Sequence, residues 1–453
     1  MLAKVVYHYH FPNKKKRLYI RHDDVEVMYV LYQKKGLATS QITELYGVIN
    51  DTEVNEAFMD RIQKRLAKLS EYGSCLNKTV LTNPGNILKR AMFQLKAGGY
   101  KVLADLGYIS KEEAIAKINN EAAILRRTYS PHSIVCKEAG IKSLVQLLSI
   151  YKSEHRNELI RNVDLRAFHL QENIESVLTT KNPYNFIPDV CMSFKNRKLF
   201  IEVDMLTGKV LDIVDKISGY INYAKTNPNQ DIHVIFTTVD NSIVNSATDS
   251  SHYRRMSNLL FSFRKYHEQL VEQENLNIYM VSLSEVGELG AECLMGKNSL
   301  SNDQLIENLA LDILEPLKNR TIGDSTWRYG LLSKIEDFHK EIDGMLRRYY
   351  KTDDKVFRDF SFIIGHENSY KSIARIDDLL QNRSYKHKDN PMSVIVFYPK
   401  RDKTRTIHLM DTYDSVHLFS LYNDSIDILS DESMHVRLAN SVSPEKRELV
   451  ELY

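Results

Sequence analysis

Cysteine is scarce in this chain of 453 residues, and the motifs that bind common cofactors are missing. The four cysteines (Cys75, Cys136, Cys191 and Cys293) are widely separated and form no CxxC pair. We therefore predict free thiols rather than a disulfide framework or a structural zinc site. No GxxxxGK[ST] or GxGxxG motif occurs, which argues against a nucleotide cofactor.

Long apolar runs are also missing. No stretch approaches the roughly eighteen consecutive apolar residues of a membrane-spanning helix, so we expect none. The first ten residues mix Lys, His and Tyr into their apolar run, which is not the pattern of a signal peptide. We expect a cytoplasmic protein with no membrane partner.

Positive charge is concentrated near the N-terminus. Residues 1–110 contain 17 Lys and Arg against 10 Asp and Glu, although the net charge of the whole chain is only +2. A basic first quarter on a slightly acidic body is typical of a DNA-binding module joined to another domain. The simpler alternative is a basic soluble domain with no nucleic-acid partner.

Three helical patterns occupy the first 72 residues. The third runs from Glu53 to Tyr72, with Asn50 and Glu53 as a predicted capping box and an apolar stripe from Val54 to Leu69. Three such helices, the third of them basic, predict a helix-turn-helix. We expect contacts to DNA phosphates from a group of basic residues, namely Arg61, Lys64, Arg65, Lys68 and Lys89.

A predicted wing follows these helices. Two strand-like segments, Gly73–Thr82 and Ala91–Ala97, are separated by the strong turn signal Asn83-Pro84-Gly85-Asn86. Residues 1–110 are therefore interpreted as a winged helix-turn-helix that binds double-stranded DNA. Residues 111–130 have the pattern of a charged connector helix, and contact with a second subunit in a homodimer is an alternative role for it.

A β-hairpin pattern lies near the middle of the chain. Two apolar segments, Phe186–Phe194 and Leu199–Met205, flank the polar tetrad Lys195–Lys198. Asp189 lies on the first segment, and Glu202 and Asp204 alternate with apolar residues on the second. Such crowding of like charge is costly unless a cation or proton offsets it, and Mg²⁺ is a usual partner of oxygen ligands.

The helix after the hairpin carries Lys209 and Lys216 beside its apolar face. The order strand-Asp, strand-Glu-x-Asp, helix-Lys resembles the PD-(D/E)xK nuclease fold. More narrowly, the segments PDV, FIEVDMLTGKV and DKISGY resemble the replication-relaxation family of Gram-positive plasmids and mobile elements. The resemblance implies a winged helix-turn-helix joined to a nuclease-like core, with Mg²⁺ as cofactor and catalytic roles for Asp189, Glu202, Asp204 and Lys216.

The chain departs from the nuclease pattern at one position. The pattern has lysine two residues after Glu202, where this chain has Asp204. A lysine polarises the phosphate or activates water, and an aspartate does neither by its charge. Either Lys216 or Lys209 takes over from the helix, or the core is a scaffold that does not cleave.

A further helix, starting at Pro131, carries Glu138 on an otherwise apolar stripe. In the nuclease fold the first core helix commonly supplies a glutamate, so Glu138 joins Asp189 and Glu202 as a predicted metal ligand. The alternative is a surface residue at the margin of the stripe. His132 is interpreted as a hydrogen-bonded structural histidine.

The rest of the chain alternates strands and helices. Strands at Asp231–Thr237 and Leu276–Val281, with a helix at Tyr253–Glu274 between them, predict an α/β core. Helices near Asn302–Leu317 and Gly330–Tyr349 are predicted to open a smaller α/β region. The predicted domains are a winged helix (1–110), a connector (111–130), a nuclease-like core (131–295) and a C-terminal region of unassigned role (300–453).

Three functions fit this organisation. The first is a DNA-binding protein of a plasmid or mobile element, acting in its replication, relaxation or maintenance, whose core cleaves phosphodiesters with Mg²⁺ as an endonuclease or nickase. The second is a transcriptional regulator that keeps the core as a scaffold or oligomerisation surface, which the missing lysine favours. The third is a host defence nuclease.

Overall fold

The structure is a computed structural model. It describes residues 5–10, 17–71, 75–81, 90–120, 131–151, 153–163, 186–205, 210–239, 255, 258–259, 262–263 and 264–296, together with 314–315, 321–322, 325–331, 343–350, 356–364, 369–381, 393–398, 418–421, 435–437 and 449–451. The predicted turn Asn83–Asn86, Lys89, Lys209 and most of the predicted helix Asn302–Leu317 lie outside these residues.

The N-terminal part begins with an antiparallel hairpin, β1 (Val5–His10) and β2 (Arg17–Arg21), followed by helix α1 (His22–Lys34). The backbone N–H of Arg21 donates to Asp24 Oδ2 over 2.7 Å, which satisfies one of the first amides of the helix. The helix ends where Lys35 and Gly36 take positive φ values of 56° and 127°. Gly36 suits this position, because glycine adopts positive φ without steric cost.

Two further helices follow, α2 (Thr39–Ile49) and α3 (Glu56–Ser70). α2 continues two residues past Gly47, where a side chain would meet Val54 Cγ2 at 2.7 Å. The predicted capping box at Asn50 and Glu53 is wrong, since Asn55 caps α3 by accepting from the N–H of Phe58. Val54 therefore precedes α3 and is 41% exposed.

A small sheet completes this part. β3 (Leu37–Ala38), β4 (Leu76–Leu81) and β5 (Arg90–Leu95) form an antiparallel sheet in the order β3-β5-β4. β4 and β5 confirm both strand-like segments that the sequence predicted on either side of the turn signal. The order of elements is thus α1-β3-α2-α3-β4-β5.

Four helices of the described residues precede the central hairpin. They are α4 (Ala97–Asp105), α5 (Lys111–Asn119), α6 (Pro131–Ile150) and α7 (Ser153–Asn162). The hairpin consists of β6 (Val190–Phe194) and β7 (Arg197–Asp204), paired antiparallel from Val190↔Ile201 to Phe194↔Arg197. The loop is the two-residue turn Lys195-Asn196 rather than the predicted tetrad, with Lys195 at φ 55°.

Beyond the hairpin the chain alternates helix and strand. Helix α8 (Val210–Thr226) precedes β8 (Asp231–Thr238), which pairs in parallel with β9 (Leu276–Ser282) as the sequence predicted. The long helix predicted at Tyr253–Glu274 instead contains a 3₁₀ turn (Arg264–Tyr266) and ends with the short α9 (His267–Glu272). Helix α10 (Val286–Met295) follows β9.

The C-terminal strands form a sheet in the order β10 (Thr321–Ile322), β11 (Ser325–Leu331), β12 (Gly344–Tyr350), β13 (Val356–Ile364), β14 (Ser393–Tyr398) and β15 (Leu418–Leu421). Helix α11 (Tyr370–Gln381) lies between β13 and β14, which pair in parallel. A short antiparallel pair, β16 (His435–Arg437) and β17 (Leu449–Glu451), follows. The helix predicted at Gly330–Tyr349 is wrong, because the described ends of that segment belong to the paired strands β11 and β12.

The chain is mixed α/β and divides into two compact units. The first contains Met1–Pro183, Ile187–Val203 and Leu283–Met295, and the second contains Tyr184–Phe186, Asp204–Ser282 and Gly296–Tyr453. The boundary therefore falls inside β7, between Val203 and Asp204. Among the described helices, none combines the length and apolar character that crossing a membrane requires.

Candidate metal centre and basic surface

The register of the hairpin brings two predicted ligands of the first unit together. The last pair of the ladder is Val190↔Ile201, so one further step places Asp189 opposite Glu202. Residues directly opposite each other on paired strands share a face of the sheet. Asp189 lies just before β6 rather than within it, and its Oδ2 accepts a hydrogen bond of 2.8 Å from the N–H of Val203. Glu202 is buried.

Helix α6 presents a histidine and a cysteine to the same place. His132 and Cys136 are four residues apart and therefore lie on one face of the helix. His132 Nε2 lies 3.4 Å from Asp189 Oδ2, and Cys136 Sγ lies 3.6 Å and 3.7 Å from the two ring nitrogens of His132. Within the described part of the chain, these three residues form a group whose ligand atoms all lie within 4.8 Å of one another.

The thiol in this group is not prepared to act as a nucleophile. Burial raises the pKa of Cys136 well above its usual range, and the charges of Asp189 and Glu202 add to the effect, while Lys34 opposes it. A reactive cysteine needs the opposite shift, because the thiolate is the attacking species. The arrangement Cys136–His132–Asp189 therefore does not indicate a catalytic triad.

A lysine from the N-terminal helices reaches the same face of α6. Gly140 lies one turn beyond Cys136, and a Cβ at Gly140 would lie 3.3 Å from Lys34 Nζ and 3.2 Å from Val190 Cγ1. The missing side chain thus leaves room for the ammonium group next to the start of β6. Lys34 is 3% exposed. A buried ammonium requires compensation by nearby acceptors or anions, and the charge of Lys34 acts on the Cys136 thiol.

A second buried lysine lies next to the thiol. Burial and the neighbouring charges of Lys34 and Lys35 together lower the pKa of Lys137 to about 7, against the opposing effect of Cys136. The cost of placing this ammonium out of water and near two other lysines is the physical cause. The Cys136 thiol therefore interacts electrostatically with two lysines as well as with the hairpin carboxylates.

Glu138, the third predicted metal ligand, has other partners. Its Oε2 accepts a hydrogen bond of 2.7 Å from Gln41 Nε2, and its Oε1 lies 3.9 Å from Lys142 Nζ. Burial raises the pKa of the adjacent Glu44 to about 7, and the charge of Glu138 adds to that shift. Glu138 thus contacts helix α2, and it is not among the three residues of the His132–Cys136–Asp189 group.

Asp204, which stands where the nuclease pattern has lysine, is held by an arginine of the second unit. Arg255 Nε lies 2.6 Å from Asp204 Oδ2, and its Nη2 lies 3.4 Å from Oδ1. The aspartate side chain is only 4% exposed, and the arginine 16%. This bidentate pair neutralises the charge of Asp204. Lys216 lies half-buried on helix α8 of the same unit.

The basic residues of α3 fall into two groups. Arg61, Lys64 and Lys68 are exposed. Arg65 instead points inward, where its Nε donates to Asp24 Oδ1 over 2.9 Å and its Nη2 donates to Asp24 Oδ2 and to the carbonyl of Tyr19. Its side chain is 13% exposed and that of Asp24 is fully buried. The Asp24 carboxylate raises the pKa of Arg65 against the opposing effect of burial.

A protein-family model matches the part of the chain that contains these residues. Residues 28–239 match the replication-relaxation family model. The replication-relaxation match begins inside α1 and ends just after β8, so it spans α2, α3, the cluster on α6 and the whole hairpin. It associates this part of the chain with replication and relaxation. No curated protein matches the chain.

The donor set does not fit Mg²⁺, the cation that the nuclease resemblance implies. Magnesium prefers an octahedron of oxygen ligands, whereas a thiol and an imidazole lie beside Asp189 here. Asp204 is engaged by Arg255, and Glu138 faces Gln41. From the sequence, His132 is expected to be a structural histidine and Cys136 a free thiol, with no link between them. The signal that joins them is their four-residue spacing at the start of a predicted helix.

Proposed function

We propose that this protein binds double-stranded DNA through an N-terminal winged helix and acts in the replication or relaxation of a plasmid or mobile element. The observation that carries the proposal is the exposed basic side of α3 within the order α1-β3-α2-α3-β4-β5. The replication-relaxation match over residues 28–239 supports the biological role.

The arrangement of the small sheet supports the winged helix. In a helix-turn-helix the last helix of the group reads the major groove. Here α3 follows α2 directly. The antiparallel pair β4–β5 corresponds to the wing, and β3 extends the sheet by pairing with β5. The buried side of α3, made by Phe58, Ile62, Leu66 and Leu69, packs inward and leaves the opposite side open to a ligand.

The charge on that open side supports phosphate contact. Arg61, Lys64 and Lys68 are exposed on α3, and contacts of such residues with the DNA backbone give affinity without reading sequence. Arg65 is excluded from this set by its pairing with Asp24. We therefore assign the phosphate contacts of α3 to Arg61, Lys64 and Lys68, and Lys89 stays a predicted contact outside the described residues.

DNA binding is tested by a gel-shift or fluorescence-anisotropy titration of the whole protein with duplex DNA at several salt concentrations. The expected result is a salt-sensitive complex whose affinity falls in Lys64→Ala and Lys68→Ala, with a smaller salt slope in each by about one. Lys195→Ala, on the turn of the β6–β7 hairpin, is the matched control and should bind normally. Equal binding by all four proteins would contradict the assignment.

A second candidate function is cleavage of the bound DNA by a site that contains Asp189 and Glu202. In one form of this proposal the protein cuts as a homodimer. The observation that favours it is the register that places these two acidic residues opposite each other. Against it stands the Asp204–Arg255 pair at the position of the missing lysine, which favours a regulator that binds DNA without cutting it.

Supercoiled DNA incubated with Mg²⁺ or Mn²⁺ distinguishes these two functions. A relaxed or linear product that disappears in Asp189→Asn and Glu202→Gln, while DNA binding is retained, would identify a nuclease. A salt-sensitive complex with intact DNA under all metal conditions would identify a regulator or an initiator. Cleavage that survives both substitutions would exclude this pair as its source.

A further inference from the structure

We propose that His132, Cys136 and Asp189 bind a divalent transition-metal ion of the Zn²⁺ class. This proposal concerns the metal alone and does not rest on the DNA-binding function. It also differs from the magnesium site that the nuclease resemblance implies, in both ligands and metal.

The three donors lie close enough together to share one ion, since their ligand atoms are all within 4.8 Å of one another. Cys136 Sγ is almost equally far from both ring nitrogens, so the imidazole turns to direct Nε2 at the ion when it binds. Bond lengths of about 2.3 Å for Zn–S and about 2.0–2.1 Å for Zn–N and Zn–O, with tetrahedral angles, imply separations of roughly 3.6 Å between S and N and roughly 3.4 Å between N and O. The separations here are 3.7 Å from Cys136 Sγ to His132 Nε2 and 3.4 Å from His132 Nε2 to Asp189 Oδ2.

The separation between His132 and Asp189 is too long for a strong hydrogen bond. A neutral or charge-assisted N–H···O bond has a donor–acceptor distance of about 2.7–3.2 Å, so the contact of His132 with Asp189 is longer than the imidazole and carboxylate would adopt by themselves. One cation shared by the three donors is compatible with these separations. The carbonyl oxygen of Val203 lies 3.3 Å from His132 Nε2 and adds a further oxygen at the same place.

The elements around the group fix its geometry and leave an entry path. His132 and Cys136 are held one turn apart on α6, and Asp189 is oriented by the N–H of Val203. His132 is 44% exposed and Asp189 19% exposed, so an ion can enter from solvent. Cys136 closes the inner end of the site, with 1% exposure.

The chemistry of the donors selects the metal. A thiolate and an imidazole favour zinc and other borderline or soft ions, and a carboxylate completes a mixed set that zinc accepts. Three protein ligands leave the fourth tetrahedral position open for water or for Glu202, whose charge reaches the Cys136 thiol. The thiol releases its proton to solvent when the metal–sulfur bond forms.

Metal analysis of the purified whole protein tests the proposal. After dialysis against metal-free buffer and titration with Zn²⁺ or Co²⁺, we expect one tightly bound ion per chain. The Co²⁺ form should show the absorption of a sulfur–cobalt bond, and a tenfold molar excess of Mg²⁺ over the transition metal should not displace the ion. Cys136→Ser should abolish the sulfur–cobalt absorption and lower the affinity by at least tenfold.

Cys293→Ser is the matched control, because Cys293 is a buried cysteine on α10 of the same unit. It should keep the full metal content and absorption. Asp189→Asn retains an acceptor for the N–H of Val203 but removes the charge, so it should weaken metal binding in a folded protein. Absence of one-to-one binding in the wild type, or equal binding in wild type and Cys136→Ser, would overturn the proposal. Duplex-DNA titration of the same samples shows whether the DNA-binding function fails or holds separately.

Discussion

Arg65 and Lys64 are neighbours on α3, and the structure predicts opposite consequences when each is removed. Arg65→Ala leaves the fully buried carboxylate of Asp24 without its bidentate partner. Loss of one member of a buried ion pair costs about 3–5 kcal/mol, since an uncompensated charge stays buried. Arg21 lies 3.6 Å from Asp24 and keeps part of the compensation, so we expect about 3 kcal/mol, the lower end of that range.

Urea unfolding followed by circular dichroism measures the change in the free energy of unfolding. Lys64→Ala is the control, and its exposed side chain should change stability by less than about 0.5 kcal/mol while weakening DNA binding. A double variant, Asp24→Asn with Arg65→Met, should recover part of the stability because neither charge remains buried. The reasoning is refuted if Arg65→Ala is as stable as Lys64→Ala and loses DNA affinity to the same extent.

Three further predictions concern stability in both units. Burial raises the pKa of Glu26 to about 7, so the folded state holds a proton that the unfolded state releases, and the stability from this group is lost as pH rises from about 4.5 to 7. Glu26→Gln should flatten that part of the pH–stability curve measured by urea unfolding, and an unchanged slope would contradict the assignment. Gly290→Ala should destabilise the protein by about 1–3 kcal/mol in thermal melts, because its Cβ would meet Ser143 Oγ and lie 2.9 Å from Ser143 Cβ. Adding Ser143→Gly should restore part of the loss, and no rescue would count against this contact. Arg255→Ala should lower the free energy of unfolding by about 3 kcal/mol, because it removes the arginine that pairs with buried Asp204. Arg255→Lys keeps the positive charge and should lower it less. Equal losses of stability in the two variants would contradict this electrostatic explanation.

Local sequence patterns predicted the central hairpin and the parallel strands well. The predicted segments Phe186–Phe194, Leu199–Met205 and Asp231–Thr237 each overlap an observed strand, although the first strand begins only at Val190. These signals are strong because burial of one or both faces imposes a period of two or an unbroken apolar run. The winged-helix and nuclease-like assignments remain predictions that rest on this order of elements.

The failures have physical causes of two kinds. Gly330–Tyr349 has a helix-like spacing of apolar residues, but pairing between β11 and β12 decides its conformation, and sheet pairing depends on partners that are remote in sequence. Arg65 has the same helical position and charge as its DNA-facing neighbours, and only the buried location of Asp24 reveals its other role. The contact between His132 and Asp189 likewise joins residues that are far apart in the chain.

Helix α6 also has a practical bearing on dissection of the molecule. Gln41 of α2 donates to Glu138 of α6, and Arg156 of α7 donates to the carbonyl of Val48 at the end of α2 over 2.6 Å. A fragment that stops at residue 110 would lose both partners and expose the face of α2 that they cover. Crystallisation or NMR of the basic helices is therefore best attempted on a fragment that retains residues 131–163. The helices in that range supply the contacts that cover α2.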